Sequence, residues 1–386
     1  MASHGLLRFT EDQELLRSSV RSYLEREIAP QIAECEREHR FPFDQLPELV
    51  QLGYVSGIVP EEHGGGGASF TDQAVLMEEA GRCWASLRVI MNTMTIVSLW
   101  LTQYGTKEQK ENYLARIMAG QAKVFLALTS PDHGSDLASM TARAEKVPGG
   151  YKLYGTKTFI TSGSIADFGI VFAKTDTSKG REGISAFIVE RGVTPYTAHD
   201  MEKMFIRSTT TSELSFDGAF VPDSARVGEE GQAMRIATHG LNIGRLDVAC
   251  GSAGLAGAAF ERSLQYAKDR HQFGRPIGSF QLVQEMLVTM ACLTETARLH
   301  SYQAAAVLDA GQSGEMACSM AKMISTENAF RVADLALQVH GGSGYMEELP
   351  IERYFRDARG FTIPEGTSQI QQLIIGRELT GINAMR

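Results

Sequence analysis

A single carboxylate near the end of the chain stands in a setting that suits proton abstraction. Glu365 lies within the run 364–371, Pro-Glu-Gly-Thr-Ser-Gln-Ile-Gln, whose Pro and Gly favour a turn. A helical pattern of apolar residues that includes Ile370 and Ile374 follows at once. A carboxylate beside a helix start is placed like a general base, with backbone N–H groups nearby that can polarise a substrate carbonyl. The alternative is a surface turn with an acidic helix cap, and this run alone does not separate the two.

The composition describes a globular protein with a large core and no nucleic-acid-binding surface. Of the 386 residues, 43% are hydrophobic and 22% are charged, which suits two or three domains or one multi-lobed subunit. The net charge of −9, without a basic stripe, argues against a phosphate-backbone partner. We find neither a run near the roughly 18 apolar residues of a membrane span nor the pattern of a signal or transit peptide. The five cysteines are scattered, which favours reduced thiols and no metal site, and predicts a cytoplasmic location.

The chain changes texture twice, which predicts an α+β protein of three domains. Residues 1–120 have helical periodicity, opened by the capping-box pattern Thr10-Glu11-Asp12-Gln13, and predict an N-terminal α-helical domain. Residues 121–232 hold short segments rich in β-branched and aromatic residues, which predict a central antiparallel β-sandwich or barrel. Residues 233–386 return to helical periodicity, with a long apolar face over 279–309, and predict a C-terminal four-helix bundle. The predicted strand segments are 151–155, 168–173, 184–189 and 211–216.

Four further motifs carry residue types that suit a bound nucleotide and a flat ring. The loop 127–136, Ala-Leu-Thr-Ser-Pro-Asp-His-Gly-Ser-Asp, combines small hydroxyl side chains with Gly, so that backbone donors can approach a ligand closely. The strand 157–163 carries one Phe and two Thr. The run 269–281 begins Asp-Arg-His-Gln-Phe-Gly-Arg-Pro, and its guanidinium groups suit bidentate contact with phosphate. The run 338–345 holds a Gly pair that also fits a helix C-cap, and both roles are compatible.

With these motifs the chain resembles the acyl-CoA dehydrogenases over essentially its whole length, in particular the short-chain and glutaryl-CoA dehydrogenase branch. The resemblance implies FAD as the cofactor. It also implies a homo-oligomer, a dimer or a tetramer, because the run 269–281 in this family reaches the FAD of a neighbouring subunit. The FAD contacts that the resemblance implies are Leu128, Thr129, Ser135, Phe159, Thr161, Arg270, Gln272, Phe273, Gln281, Gln338, Gly341, Gly342, Thr367 and Gln369.

Two of these motifs leave a question open. The family usually has Glu where Ser130 stands, and since that position supports the loop we do not expect its loss to abolish flavin binding. Phe159 corresponds to the aromatic ring that packs on the flavin. Without the resemblance, the same Phe is expected to be ordinary β-core.

The resemblance also assigns the chemistry. Glu365 falls at the position of the family's base, which removes the α-proton of an acyl thioester while FAD takes the β-hydride. Some members carry the base on an earlier helix instead, just before an Arg, but that position is Gly244 here and cannot serve. Arg245 is expected to orient or tune Glu365. The expected substrate contacts are Ser135, Arg88, Asn242, Arg245 and Gly366. Burial against substrate and flavin is expected to raise the pKa of Glu365.

Arg88 is the residue that indicates which acyl group the protein takes. It stands where glutaryl-CoA dehydrogenases carry an Arg that pairs with the distal carboxylate of the substrate, and an Arg on an apolar helix face needs a partner. The alternatives are a protein carboxylate as partner or a side chain that reaches solvent. Two departures from those enzymes, Gly81 for an acidic residue and Pro364 for a Tyr, weaken the case for decarboxylation.

Other uses of the same scaffold stay open. One is an acyl group carried by an acyl carrier protein in a biosynthetic, polyketide-type pathway. Others are oxygen chemistry, desulfination, or a non-catalytic flavin-binding scaffold, and the presence of Glu365 favours dehydrogenation over these. By resemblance, the electrons pass to an electron-transferring flavoprotein or another acceptor.

Overall fold

The computed structural model describes residues 7–384, and its first third is helical. The predicted capping box is confirmed: Thr10 Oγ1 accepts from the Gln13 N–H at 3.2 Å, and Gln13 Oε1 accepts from the Thr10 N–H at 3.1 Å. It satisfies two backbone donors that would otherwise lack partners at the helix start. The helices are α1 (Glu11–Tyr23), α2 (Ile32–Arg37), α3 (Leu46–Gln51), α4 (Phe70–Cys83), α5 (Ala85–Tyr104), α6 (Lys107–Gln109) and α7 (Ala115–Met118).

The middle of the chain forms a sheet of eight strands, in the order β6-β7-β3-β2-β4-β5-β8 with β1 beside β4. All four predicted strand segments are present, in β3, β4, β5 and β7. The strands are β1 (Val124–Ala127), β2 (Arg143–Val147), β3 (Gly150–Thr161), β4 (Phe168–Lys174), β5 (Ile184–Glu190), β6 (Thr197–Asp200), β7 (Thr211–Pro222) and β8 (Arg226–Val227).

The sheet is mixed, which corrects the expectation of a purely antiparallel domain. Most neighbours are antiparallel, but β1 and β2 each pair with β4 in parallel. A parallel pair needs a crossover connection, and the long loop after β1 together with the β2–β3 hairpin supplies it. Residue composition alone predicts that a segment is a strand and not the direction in which its partner runs.

The last third is the predicted helical bundle, with the long helix α9 close to its expected bounds. β9 (His271–Gln272) and β10 (Arg275–Pro276) form a small separate hairpin between α8 and α9. The helices are α8 (Ala233–Asp269), α9 (Gln281–Asp309), α10 (Glu315–His340), α11 (Ile351–Phe361) and α12 (Ser368–Thr380).

Helix α8 joins the bundle to the N-terminal helices, and glycines make this possible. A Cβ on Gly81 of α4 would lie 2.0 Å from the carbonyl oxygen of Gly251, and one on Gly254 would lie 1.9 Å from that of Glu78. The two backbones therefore cross in direct contact, which larger residues would prevent. One hydrophobic core contains residues of the N-terminal helices, the sheet and α8. Because this core crosses both predicted domain boundaries, 120/121 and 232/233, these boundaries stay a prediction.

Helix α5 is long and apolar enough to cross a membrane by length and composition alone. In the structure 83% of its most apolar window is buried inside the protein, as is normal for the core helix of a globular protein.

Candidate active site

A cavity of about 1640 Å³ opens between the sheet, α5, α8 and the loop that joins α11 to α12. This volume exceeds that of ordinary small-ligand sites and suits a large cofactor together with a substrate. Ten of the residues singled out from the sequence line it, although they come from five separate segments. These residues are Arg88, Leu128, Thr129, Ser135, Phe159, Thr161, Arg245, Glu365, Gly366 and Thr367.

Glu365 lies at the wall of this cavity in a left-handed backbone conformation, with φ of 57°. Its carboxylate faces α8: a Cβ built on Gly244 would lie 2.9 Å from Glu365 Oε2. Asn92 Nδ2 of α5 lies 3.5 Å from Oε1, the outer limit of a hydrogen bond. Burial raises the pKa of Glu365, and the nearby charges of Arg88, Arg245 and Lys322 oppose that rise.

Arg245 lies one residue after Gly244 on α8 and is only 7% exposed. Its Nη1 donates to Asn242 Oδ1 at 2.8 Å, and its Nε is buried without a hydrogen-bond partner among the described residues. Burial lowers the pKa of Arg245, against the attraction of Glu365. Asn242 itself does not line the cavity, and its amide oxygen is occupied by Arg245.

Arg88 of α5 is 2% exposed, yet among the described residues no carboxylate lies within ion-pair distance of it. Its guanidinium carbon lies 4.3 Å from the centre of the Phe361 ring, and its Nε has no hydrogen-bond partner in the part of the chain that the structure describes. Gly251 makes room for the side chain, since a Cβ there would lie 2.6 Å from Arg88 Cγ. Burial lowers the pKa of Arg88 to about 10.

A second buried carboxyl group belongs to the same region. Asp247 on α8 is fully buried and accepts from Gln73 Nε2 at 3.2 Å and 3.3 Å. Burial raises the pKa of Asp247 to about 8, although the charge of Arg88 lowers it somewhat. Sequence reasoning missed Asp247, because its partner Gln73 is distant in sequence.

The loop after β1 and the strand β3 form the opposite wall. Thr158 N–H donates to the Thr129 carbonyl at 3.0 Å, which fixes the loop against the strand. Lys157 Nζ, fully buried, donates to the Leu128 carbonyl at 2.6 Å and lies 3.5 Å from Ser130 Oγ. Lys157 was not singled out from the sequence, although it opens the motif 157–163.

Phe159 is not part of the β-core. The register of β3 against β7 shifts between Lys157 and Ile160, and Phe159 within this bulge has φ of 59°. A bulge re-aims the side chains around it. The ring is accordingly 63% exposed and lines the cavity.

The remaining predicted cofactor residues do not line the cavity of this chain. Phe273 is 92% exposed in the β9–β10 hairpin. The end of α8 lies beside the end of α10, where the Tyr266 ring stacks on His340 at 4.2 Å, so two of the motifs meet at one end of the bundle. The exposed residues outside the cavity are Arg270, Gln272, Phe273, Gln281, Gln338, Gly341, Gly342 and Gln369.

These walls fit a bound flavin. The cavity is large, one of its walls carries an exposed aromatic ring on a bulge, and Thr129, Thr161 and Thr367 line it. Such a wall offers both stacking area and hydrogen-bond partners to a flat heterocycle.

The comparison with known proteins agrees with this geometry. Residues 10–121, 126–219 and 231–380 match the N-terminal, middle and C-terminal domains described for the acyl-CoA dehydrogenases. An acyl-CoA dehydrogenase of Bacillus subtilis is 39% identical over 377 residues, 97% of this chain and 100% of that protein.

Two solved structures share the fold closely. The structure of a glutaryl-CoA dehydrogenase–glutaryl-CoA complex has a TM-score of 0.93 at 31% identity, over 98% of each chain. A prolyl acyl carrier protein oxidase has a TM-score of 0.92 at 29% identity, over 97% of this chain and 100% of that one. The chain therefore belongs to the acyl-CoA dehydrogenase family, and it is an FAD-dependent oxidoreductase that dehydrogenates acyl thioesters.

Proposed function

We propose that Glu365 is the base that removes the α-proton of the acyl thioester. The observation that carries this proposal is the position of the carboxylate: it lines the large cavity, faces Gly244 and is surrounded by three cations. A base whose pKa is raised by burial works closer to neutral pH than an exposed Glu does. Arg245 attracts the Glu365 carboxylate; in this proposal it orients that carboxylate and lowers its pKa.

The backbone beside Glu365 is suited to bind the thioester carbonyl. The N–H groups of Glu365 and Gly366 donate to no other described residue, and both residues line the cavity. A carbonyl that accepts from such a donor is polarised, so that the α-proton becomes more acidic. Ser135, on the loop after β1, lines the same cavity.

We infer that FAD is held by the loop after β1, by Phe159 and Thr161 of β3, and by Thr367 at the start of α12. When bound, FAD supplies the acceptor for the hydride that leaves the β-carbon. Arg270 and Gln281, with the other exposed residues at the end of the bundle, are assigned to the FAD of a second subunit. This assignment makes the active protein a homo-oligomer.

For the substrate, we propose an acyl group that ends in a carboxylate. Arg88 supports this, because it is a buried cation at the cavity without an ion-pair partner among the described residues. A substrate carboxylate would compensate the cost of burying that charge. We do not assign decarboxylation: the direct contact of Gly81 with the Gly251 backbone leaves no room for the acidic residue of decarboxylating relatives.

A carrier-protein-bound substrate is the second candidate, favoured by the likeness to the prolyl acyl carrier protein oxidase. An electron-transferring flavoprotein is the proposed electron acceptor. A cytoplasmic location is supported by five cysteines that are all free.

The substrate proposal is tested by anaerobic mixing of the yellow holoenzyme with butyryl-, isobutyryl-, glutaryl- and succinyl-CoA, followed by the bleaching of the flavin band. We expect glutaryl-CoA to bleach it, and Arg88→Leu to abolish that bleaching while any reaction with butyryl-CoA persists. Equal loss on both substrates would refute the carboxylate assignment. No bleaching by any CoA ester would favour the carrier-protein substrate.

The assignment of the base is tested separately. Glu365→Gln is expected to slow bleaching by at least about 100-fold while the protein stays yellow. The double variant Glu365→Gly with Gly244→Glu should recover part of the rate, since a Cβ at position 244 points at the present site of the carboxylate. Full activity of Glu365→Gln would exclude Glu365 as the base.

A further inference from the structure

The loop that carries Glu365 is held in an unfavourable backbone conformation. Glu365 and Gly366 both have positive φ, 57° and 91°. For a residue with a side chain this region costs roughly 1 kcal/mol or more, and it persists only where surrounding groups fix it. Something in the neighbourhood must therefore hold the loop.

Two fully buried side chains do so. Lys322 Nζ, from α10, donates to the Thr362 carbonyl at 3.1 Å and to the Gly366 carbonyl at 2.9 Å, so that it brackets the loop at both ends. Gln371 Nε2, from α12, donates to the Glu365 carbonyl at 3.0 Å and to the Gly366 carbonyl at 2.9 Å. Both side chains are 0% exposed.

These two residues differ in charge, and Lys322 is not neutralised by an ion pair. Among the described residues no carboxylate lies within ion-pair distance of its Nζ. The charged groups that face Lys322 are Glu365, Glu327 on its own helix, Arg245 of α8 and Arg88 of α5. Those that face Glu365 are Arg88, Arg245, Lys322 and, on α8, Asp247. Lys322 is thus the cation that both contacts the loop backbone and faces its carboxylate.

We propose that Lys322 is a positioning residue for the proposed base: it fixes the Glu365–Gly366 turn and its charge favours the ionised carboxylate. Gln371 fixes the same turn without a charge. The inference rests on the proposed role of Glu365. The position of Lys322 on α10, among small residues, does not by itself suggest this role.

The test compares Lys322→Met with Gln371→Met in the holoenzyme, with the rate of flavin bleaching measured from pH 5.5 to 9. Both variants are expected to lower the limiting rate by about 10- to 100-fold, because each loosens the placement of the carboxylate. Only Lys322→Met should also move the midpoint of the pH profile to higher pH, since a cation that favours ionised Glu365 has been removed. A purely structural lysine would leave that midpoint in place.

Further variants keep the outcomes distinct. If Lys322→Met does not fold as a yellow protein, Lys322→Gln keeps an amide donor without the charge and should show the same midpoint shift with a smaller loss of rate. An unchanged midpoint in the lysine variants, or an equal shift in Gln371→Met, would overturn the inference. Glu365→Gln separates the two proposals: if it is inactive while the lysine variants keep the midpoint, only the role of Lys322 fails.

Discussion

At the scale of single residues, four basic side chains are buried in or close to the site without an ion-pair partner among the described residues. Arg88, Arg245, Lys157 and Lys322 are all buried, and none makes an ion pair with a described residue. Burying an unpaired charge is costly, and burial accordingly lowers the pKa of each of the four groups. For Lys157 this cost can be measured without any substrate, as a dependence of protein stability on pH.

Lys157 should make stability depend on pH. Its ordinary pKa of 10.5 is lowered to about 7 by burial. Between these values the unfolded chain binds a proton that the folded protein does not, so stability rises with pH by at most about 1.4 kcal/mol per unit. Below about pH 7 both states are protonated and this slope vanishes.

The measurement is thermal unfolding of the holoenzyme at pH 6 to 9.5. Lys157→Met should flatten the rise in the melting temperature above pH 7 relative to the natural protein. Lys152→Met, on an exposed position of the same strand, serves as the control and should keep the rise. A slope that is unchanged in Lys157→Met would show that this lysine stays charged in the folded protein.

At the scale of elements, glycines allow the close α4–α8 crossing. The two backbones touch at Gly254, where an added Cβ would lie 1.9 Å from the Glu78 carbonyl oxygen. A Cβ on Gly257, three residues further along α8, would lie 4.0 Å from the Thr294 methyl group, which is ordinary van der Waals contact. The two glycines therefore predict opposite results for the same substitution.

Gly254→Ala should destabilise the protein by about 2–3 kcal/mol or more, because the helices must move apart. Gly257→Ala should be neutral or stabilising by up to about 1 kcal/mol, since Ala is the better helix former. Chemical denaturation of both variants compares them directly. Equal effects would mean that the crossing tolerates a methyl group and that Gly254 is not required for contact.

Sequence reasoning also succeeds or fails at the level of elements, for physical reasons. Glu365 and Phe159 were identified because each lies in a compact local motif. Lys322, Gln371 and Asp247 were missed because their roles depend on contacts between separate helices, which no local spacing encodes. The direction of β1 and β2 against β4 was missed for the same reason. Asn92 did leave a signal: it lies one helical turn after Arg88 on an apolar helix.

At the scale of the whole molecule, the predicted cofactor residues fall into two groups. One lines the cavity of this chain, and the other, which includes Arg270, Gln281 and Gln338, is exposed at the end of the bundle where α8 and α10 end. Gln369, exposed in the first turn of α12, belongs to neither group. We propose that both groups contact the same FAD, with the second group supplied by another subunit. A symmetric pair of chains would then complete two sites with reciprocal contributions.

Co-expression of two inactive variants tests this arrangement. Arg270→Ala should weaken FAD binding, whereas Arg331→Ala, an exposed arginine elsewhere on the bundle, should not. In a mixed pair, the site of the Glu365→Gln subunit receives the Arg270→Ala change from its neighbour and carries both defects. The site of the Arg270→Ala subunit has its own Glu365 and receives the natural Arg270, so it carries none. Random pairing should therefore restore about a quarter of the natural activity. If each chain instead binds FAD with its own Arg270, every site keeps one defect, and co-expression restores no activity.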